Sequence, residues 1–305
     1  MQVKRCSIIE FRERFNTQEK CKKYLMEVKF GDKFSCTKCK STKKIKGYNT
    51  YDIRCKDCGY NESPTSNTLF HSMKIKLTTA FEMMYRICVN KKGISTIELC
   101  REYDINPKTA YNFKRKVQES MESSQKNPLT GLVHVDEFMY GGKDAGCQGR
   151  SSKSDKLKIC LAVEIIENKT KKKNKIGRAY ALPIENFSQE ELKKIFDKHI
   201  SKDAKIVTDK WTGYNPLKSE YNIEQILSDG GKNFPELHIL IMNIKNWIRG
   251  IHHKISKKHL QKYLNEFFFR FNRRSFIENM PLFTLKRMIN SKPKPVTLSS
   301  CGFYG

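Results

Sequence analysis

The chain has 305 residues, and 59 lysines and arginines against 32 acidic residues leave a formal charge of +27. That length allows two or three domains and a sizeable buried core. The charge is too large for an ordinary cytosolic enzyme, runs along the whole chain, and calls for a polyanionic partner, although a lysine-rich compositional bias would account for part of it. No apolar run approaches ~18 residues, and no secretory leader or lipidation motif is read, so nucleic acid is favoured over a membrane surface. A cytoplasmic or nucleoid-associated location in a bacterium, or a nuclear one in a eukaryote, is the matching expectation.

Asn16 and Glu19 read as a capping box that starts a short helix through Lys22-Lys23-Tyr24-Leu25, within an N-terminal helical segment over 1–30. Eleven cysteines without a secretory signal argue for metal ligation and buried thiols rather than disulfides. Four of them form two C-x2-C knuckles, Cys36/Cys39 and Cys55/Cys58, with fifteen residues between. That spacing brings four thiolates to the corners of a tetrahedron around a structural Zn²⁺, with no open position for catalysis. The segment Lys43 to Arg54 reads as a hairpin, so 31–63 is expected to be a zinc ribbon. Cys6, Cys21, Cys88, Cys100, Cys147, Cys160 and Cys301 show no ligand spacing and read as core or incidental thiols.

Within 70–125, residues 94 to 122 read as a helix-turn-helix. Ser95 and Glu98 form a capping box for the first helix, and a break falls at Tyr103-Asp104-Ile105. Asn106 caps a second helix with Pro107 at its first position, where a missing N–H costs nothing. Lys108, Lys114, Arg115 and Lys116 on that helix are candidate DNA contacts, as on a recognition helix in a major groove. A plain helical pair with a solvated basic face is the bland counter-reading.

From 131 to 280 strands alternate with helices. Leu132 to Phe138, Leu157 to Ile166, Gly177 to Leu182 and Ala204 to Asp209 read as strands, and Ser188 to Ile200 and Pro235 to Arg249 as helices. Ser188 and Glu191 are read as the first helix's capping box. This pattern describes an α/β, RNase H-like core behind the zinc ribbon and helix-turn-helix. Asp136 and Asp209 would then converge from neighbouring strands, where two carboxylates can bridge hard divalent ions. Strand-end aspartates are also common turn groups, so their weight comes from the downstream helix that carries His238 and Lys245. Those two stand seven residues apart, on one helix face.

Several boxes here resemble a known family. Asp136-Glu137-Phe138-Met139-Tyr140-Gly141-Gly142-Lys143, with Gly149-Arg150, resembles the D-E-x-x-x-G-G-K…G-R box of the IS1595 (ISXO2-like) transposases. Thr208-Asp209-Lys210-Trp211-Thr212-Gly213-Tyr214 resembles their second-aspartate box. Asn243 to Gly250, His252-His253, His259 to Phe267 and Phe269 to Arg274 resemble the stretch that closes their catalytic domain. Together the resemblance spans roughly residues 20 to 280.

The resemblance implies a DDE-type transposase with Mg²⁺ or Mn²⁺ at Asp136, Asp209 and a third position seven residues before a lysine. That lysine is Lys245 and the third position His238, where most DDE enzymes have Glu and groups within this family have Asn or His. Asn243 competes for the place, but it lies about 140° around the helix from His238, whereas Lys245 is within about 20° of it, so His238 is favoured. Lys143, Arg150, Arg270, Arg273 and Arg274 are further candidate DNA contacts. The implied partners are double-stranded DNA (terminal inverted repeats and target) and a second copy of the chain, as a homodimer or larger assembly. A catalytically inactive DNA-binding relic and a nuclease or resolvase of the same fold remain as alternatives. Residues 290–305 are read as a flexible tail.

Overall fold

The computed structural model describes residues 7–31, 34–142, 154–168, 174–252 and 255–292. It divides into two compact units, one built from the described residues up to Met121 together with those from Ser275 onward, the other from Glu122–Arg274.

In the first unit, α1 (Ile8–Arg14) is opened by a reciprocal Ser7–Glu10 capping box. The next helix, α2 (Gln18–Phe30), is capped by Thr17, whose Oγ1 accepts from the Lys20 N–H at 3.2 Å. The expected Asn16–Glu19 box is therefore displaced by one residue, because Thr17 holds the extended backbone that aims a hydroxyl at the first turn. Three short antiparallel strands follow: β1 (Lys44–Lys46), β2 (Ile53–Cys55) and β3 (Asn61–Glu62). This small sheet has little core of its own, and Phe30, Phe34, Cys36 and Cys55 supply most of it. Half-buried Lys29 ties α2 to the small sheet through Glu62 at 2.8 Å and the Ser63 carbonyl at 3.0 Å.

Helix α3 (Leu77–Val89) is almost wholly buried on one face. Helices α4 (Thr96–Tyr103) and α5 (Pro107–Ser120) follow, with the expected Ser95–Glu98 box and Asn106 cap both formed. The break between them is made by Asp104, which ends α4 in the left-handed region at φ 47°, a conformation Asp tolerates better than most residues.

The second unit is built on a five-stranded mixed sheet. Its strands are β4 (Leu132–Tyr140), β5 (Leu157–Ile166), β6 (Lys175–Ile184), β7 (Lys205–Thr208) and β8 (Ile223–Gln225), in the order β6-β5-β4-β7-β8. The first three pair antiparallel, and β7 and β8 then add in parallel. A parallel addition needs a crossover. Helix α6 (Gln189–His199) supplies it between β6 and β7. Ser188 stands at the N-cap position of α6, but its side chain makes no capping hydrogen bond, and Glu191 accepts from the Glu185 N–H at 3.0 Å, so the expected box is not formed.

Alternation along the strands separates two cores. Val133, Val135 and Ile206 face a layer holding α6 and the 3-10 helix Thr212–Ser219. Phe138, Val207, Ile159 and Leu161 face α7 (Pro235–Ile251) and α8 (Lys257–Phe271). The chain then gives α9 (Met280–Asn290) to the first unit, where it packs on α2, α3 and α5. No helix is expected over 281–289 from local spacing alone, and α9 occupies that stretch.

His199, at the last turn of α6, is 5% exposed and stacks on Tyr180 with ring centroids 4.3 Å apart. Burial holds its imidazole down to about 4, with the charge of Lys198 adding to the effect. It is neutral in the fold and takes up a proton once unfolded, so stability is full above about pH 6.5 and declines as pH falls toward 4. We expect this one group to contribute up to about 3 kcal/mol to that decline. Urea unfolding of wild type and His199→Phe between pH 7 and 4 should give a flatter profile for the variant.

Candidate active site and metal-binding residues

Asp136 lies near the middle of β4 and Asp209 one residue beyond β7. Parallel pairing matches Val135 to Thr208. Asp136 and Asp209 are the residues that follow this last pair, on strands about 4.8 Å apart. By alternation both belong to the face of Phe138 and Val207, the one covered by α7. The Asp136 Oδ1 accepts from the Glu137 N–H at 2.8 Å, and the Asp209 Oδ1 from the Trp211 N–H at 3.0 Å. Each of the two aspartates is half-buried.

Helix α7 runs along β4. Phe234, just before it, meets His134 edge-on at 5.3 Å, and Lys245 lies 5.5 Å from the Phe138 ring. Between those contacts falls the level of Asp136. Trp247 packs on Phe267 of α8 and so marks the flank of α7 that faces α8. His238 and Lys245 lie about 180° and 160° around from Trp247, on the opposite flank, while Asn243 is only about 40° from Trp247. His238 is exposed and rests on Gly231, where a Cβ would stand 2.5 Å from its Nε2. Gly231 has φ +91°, so this close approach needs a glycine twice over.

Lys245 is half-buried. Burial, then the charges of Arg249 and Lys156, push its ammonium below the ordinary value. A cation crowded by two others is relieved by a bound anion. His134, which no sequence pattern singled out, sits on the Asp136 face at 8% exposure with Nδ1 unpartnered among the described residues. Burial lowers its pKa while nearby Glu236 opposes the shift. Its even spacing from Asp136 along β4 was the signal available.

Among the described residues the one set of three or more His, Cys, Asp or Glu side chains whose donor atoms all lie within 4.8 Å is Cys36, Cys39, Cys55 and Cys58. Asp136, Asp209 and His238 do not close to that distance. In the cysteine cluster the Cys36–Cys58 and Cys39–Cys55 sulfurs are 3.6 and 3.5 Å apart. Sulfurs about 2.3 Å from a common tetrahedral ion lie near this separation. Backbone N–H groups of Cys58 and Asp57 face the Cys55 sulfur and hold that thiol down to about 6, favouring the thiolate a metal needs. The four cysteines therefore fit a structural zinc.

The other expected contacts divide sharply. On α5, Lys114 is 3% exposed and donates to the Ile94 carbonyl at 2.6 Å. Arg115 is 7% exposed, lies 4.7 Å over the Tyr111 ring and donates to its hydroxyl at 2.5 Å. Both expected DNA contacts are thus internal, because the three consecutive positions 114–116 cannot share one helix face and the apolar stripe carries these two inward. Lys116 is half-buried and donates to the His71 carbonyl at 3.0 Å, which leaves Lys108 as the exposed one.

The arginine block at the end of α8 is also bonded to the protein itself, although Arg274 is exposed. Arg270 approaches buried Glu266 at 3.8 Å, Arg273 lies 4.0 Å over the Phe269 ring, and Arg274 donates to the Gly177 and Phe271 carbonyls at 3.1 and 2.9 Å. Asn272 bonds the backbone of Ala179 in both directions at 2.9 Å, as a neighbouring strand would. This block closes the edge of β6, a role that its charge did not reveal. Lys143 and Arg150 lie outside the described residues.

We expect one zinc per chain by native mass spectrometry. Cys55→Ser should lose it and melt the ribbon, whereas Asp136→Ala should keep it. Equal zinc content in wild type and Cys55→Ser would contradict the assignment.

No helix among the described residues is long and apolar enough to cross a membrane. No curated protein matches the chain. Residues 128–272, which take in both aspartates, the whole five-stranded sheet, α7 and α8, match the family model of the ISXO2-like transposase domain. This stretch of the chain, residues 128–272, belongs to the ISXO2-like (IS1595) transposase family.

Proposed function

We propose that the Glu122–Arg274 unit is an RNase H-like, DDE-type catalytic core that cuts DNA at element ends and joins those ends to a target. The observation that carries this reading is the register of β4 and β7, which makes Asp136 and Asp209 neighbours on one face. The strand order β6-β5-β4-β7-β8, three antiparallel strands followed by two parallel ones, supports the fold assignment.

Asp136 and Asp209 would hold Mg²⁺ or Mn²⁺, and His238 would supply the third ligand from α7. Divalent cations at such carboxylates activate the attacking oxygen and stabilise the leaving oxygen of an in-line displacement. The residues of this chain do the rest. The two aspartates supply anionic oxygens from rigid strands, and Lys245 holds a phosphate beside them. In the cut, a water oxygen bonds to phosphorus, the bond to the 3′ oxygen breaks, and that oxygen leaves as a 3′ hydroxyl. In the joining step the same hydroxyl attacks a target phosphodiester and expels a target 3′ oxygen. A histidine offers one neutral nitrogen where glutamate offers anionic oxygens, so the site carries one negative charge less. Imidazole also suits Mn²⁺ better than Mg²⁺, which should show as stronger Mn²⁺ support.

Terminal inverted repeats and target DNA are the proposed substrates. Lys108 on α5 is the helix-turn-helix side chain left to contact phosphate. Two ends must be held together for joining, so a homodimer or larger assembly on DNA is part of the proposal. A second reading, a DNA-binding relic without catalysis, draws on the resting place of His238 against Gly231 rather than against the aspartates.

A strand-transfer assay with the element's own terminal repeats separates these readings. Wild type should join ends with Mg²⁺ or Mn²⁺, and Asp136→Ala and Asp209→Ala should fall to background. His238→Ala should lose about ten- to a hundredfold, far more than Asn243→Ala. Metal-dependent cutting without joining would favour a nuclease, and neither activity in wild type would leave the relic.

A further inference from the structure

On the far side of the sheet from Asp136 lies a buried polar cluster that the reaction scheme does not use. Glu137 points there, 9% exposed, one residue from Asp136. Tyr214, fully buried, donates its hydroxyl to the Glu137 carboxylate. Cys160 is fully buried, pairs with Glu137 across β4 and β5, and lies within hydrogen-bonding reach of Tyr214. Apolar side chains of both the sheet and α6 enclose the cluster. A carboxylate in such a place is costly unless it accepts a strong hydrogen bond.

Tyr214 stands five residues after Asp209, on the 3-10 helix that continues the Asp209 loop. Two other side chains tie that loop down. Gln225 Nε2 donates to the carbonyls of Asp209 and Trp211 at 3.1 and 2.9 Å, and Trp211 Nε1 donates to the Phe187 carbonyl at 3.1 Å. These hold the loop to β8 and to the segment before α6. The Tyr214–Glu137 bond alone among the three ties it to β4, the strand that carries Asp136.

We propose that Glu137 and Tyr214 are positioning residues, a latch through the sheet that sets the separation of the Asp136 and Asp209 carboxylates and so the affinity of the divalent site. The inference rests on the metal-binding reading of those two aspartates. Neither member of the latch touches substrate or metal, since Glu137 points to the opposite face. Its acceptor oxygen and the tyrosine hydroxyl carry the function, and the negative charge of Glu137 is not required as long as an acceptor remains.

Calorimetric titration of the zinc-loaded full chain with Mn²⁺ tests this. Asp136→Ala should abolish the divalent site, and if it does not, the metal-binding reading fails and the latch falls with it. Tyr214→Phe, which keeps the ring, should bind Mn²⁺ about ten- to a hundredfold more weakly, the usual cost of losing a group that orients a ligand. Glu137→Gln keeps an acceptor for Tyr214 and should bind Mn²⁺ nearly as wild type does. The pair Glu137→Met with Tyr214→Phe removes both members of the buried Tyr214–Glu137 bond and so should fold even if the single variant does not; it too should bind weakly. Leu192→Ala, in the same apolar layer on α6, should lower the melting temperature and leave Mn²⁺ affinity unchanged. Wild-type affinity in Tyr214→Phe or in the double variant would overturn the latch, as would an equal loss in Glu137→Gln.

Discussion

The parallel pairing of β4 with β7 is the constraint on which the second unit depends. Register in a buried sheet is set by alternation, and a slip of one residue would turn every side chain of β7 to the other face. Ile206 and Val207 belong to different apolar layers, so such a slip would exchange the two cores as well as displace Asp209 from Asp136. The apolar residues that give the sheet its stability are therefore the same ones that align the carboxylates. Around this frame α6 makes the crossover, α7 brings His238 and Lys245 to the open flank, and α8 closes the edge of β6.

The charge of +27 is distributed in a way that composition conceals. Lys114, Arg115, Arg270, Arg273 and Arg274 are held by carbonyls, rings or a buried glutamate, and their alkyl stems and guanidinium planes serve packing. The first unit uses Lys29 the same way, in a pair with Glu62 that binds α2 to the ribbon. Cations near the proposed chemistry are fewer and differently placed. Lys245 and Arg249 are one helical turn apart on α7, at the level of Phe138 and Tyr140. The basic character that points to DNA is thus carried partly by residues that never need to leave the protein's own surface.

Much of this was legible in the order of residues. The two cysteine knuckles, the Ser95–Glu98 box, the Asn106 cap and the long alternating strands all rest on local spacing, and local spacing is what a sequence displays. Asp136 and Asp209 were legible because one interrupts and the other ends an apolar alternation. What stayed hidden depends on contacts distant in sequence. Helix α9 is a short apolar stripe whose purpose appears only against α3, nearly two hundred residues earlier. Strand β8 has three residues and exists because β7 offers it a ladder. The Glu137–Tyr214 bond joins two boxes that had been read separately, and Asn272 mimics a strand that the β6 edge lacks.

The central claim is that Asp136 and Asp209 share a divalent cation. Anomalous diffraction from crystals soaked in Mn²⁺ tests it most directly. The account predicts a peak within about 2.3 Å of an oxygen of each aspartate, with the imidazole of His238 turned from Gly231 toward it. A peak bound by only one of the two aspartates, or none at that face of the sheet, would contradict it.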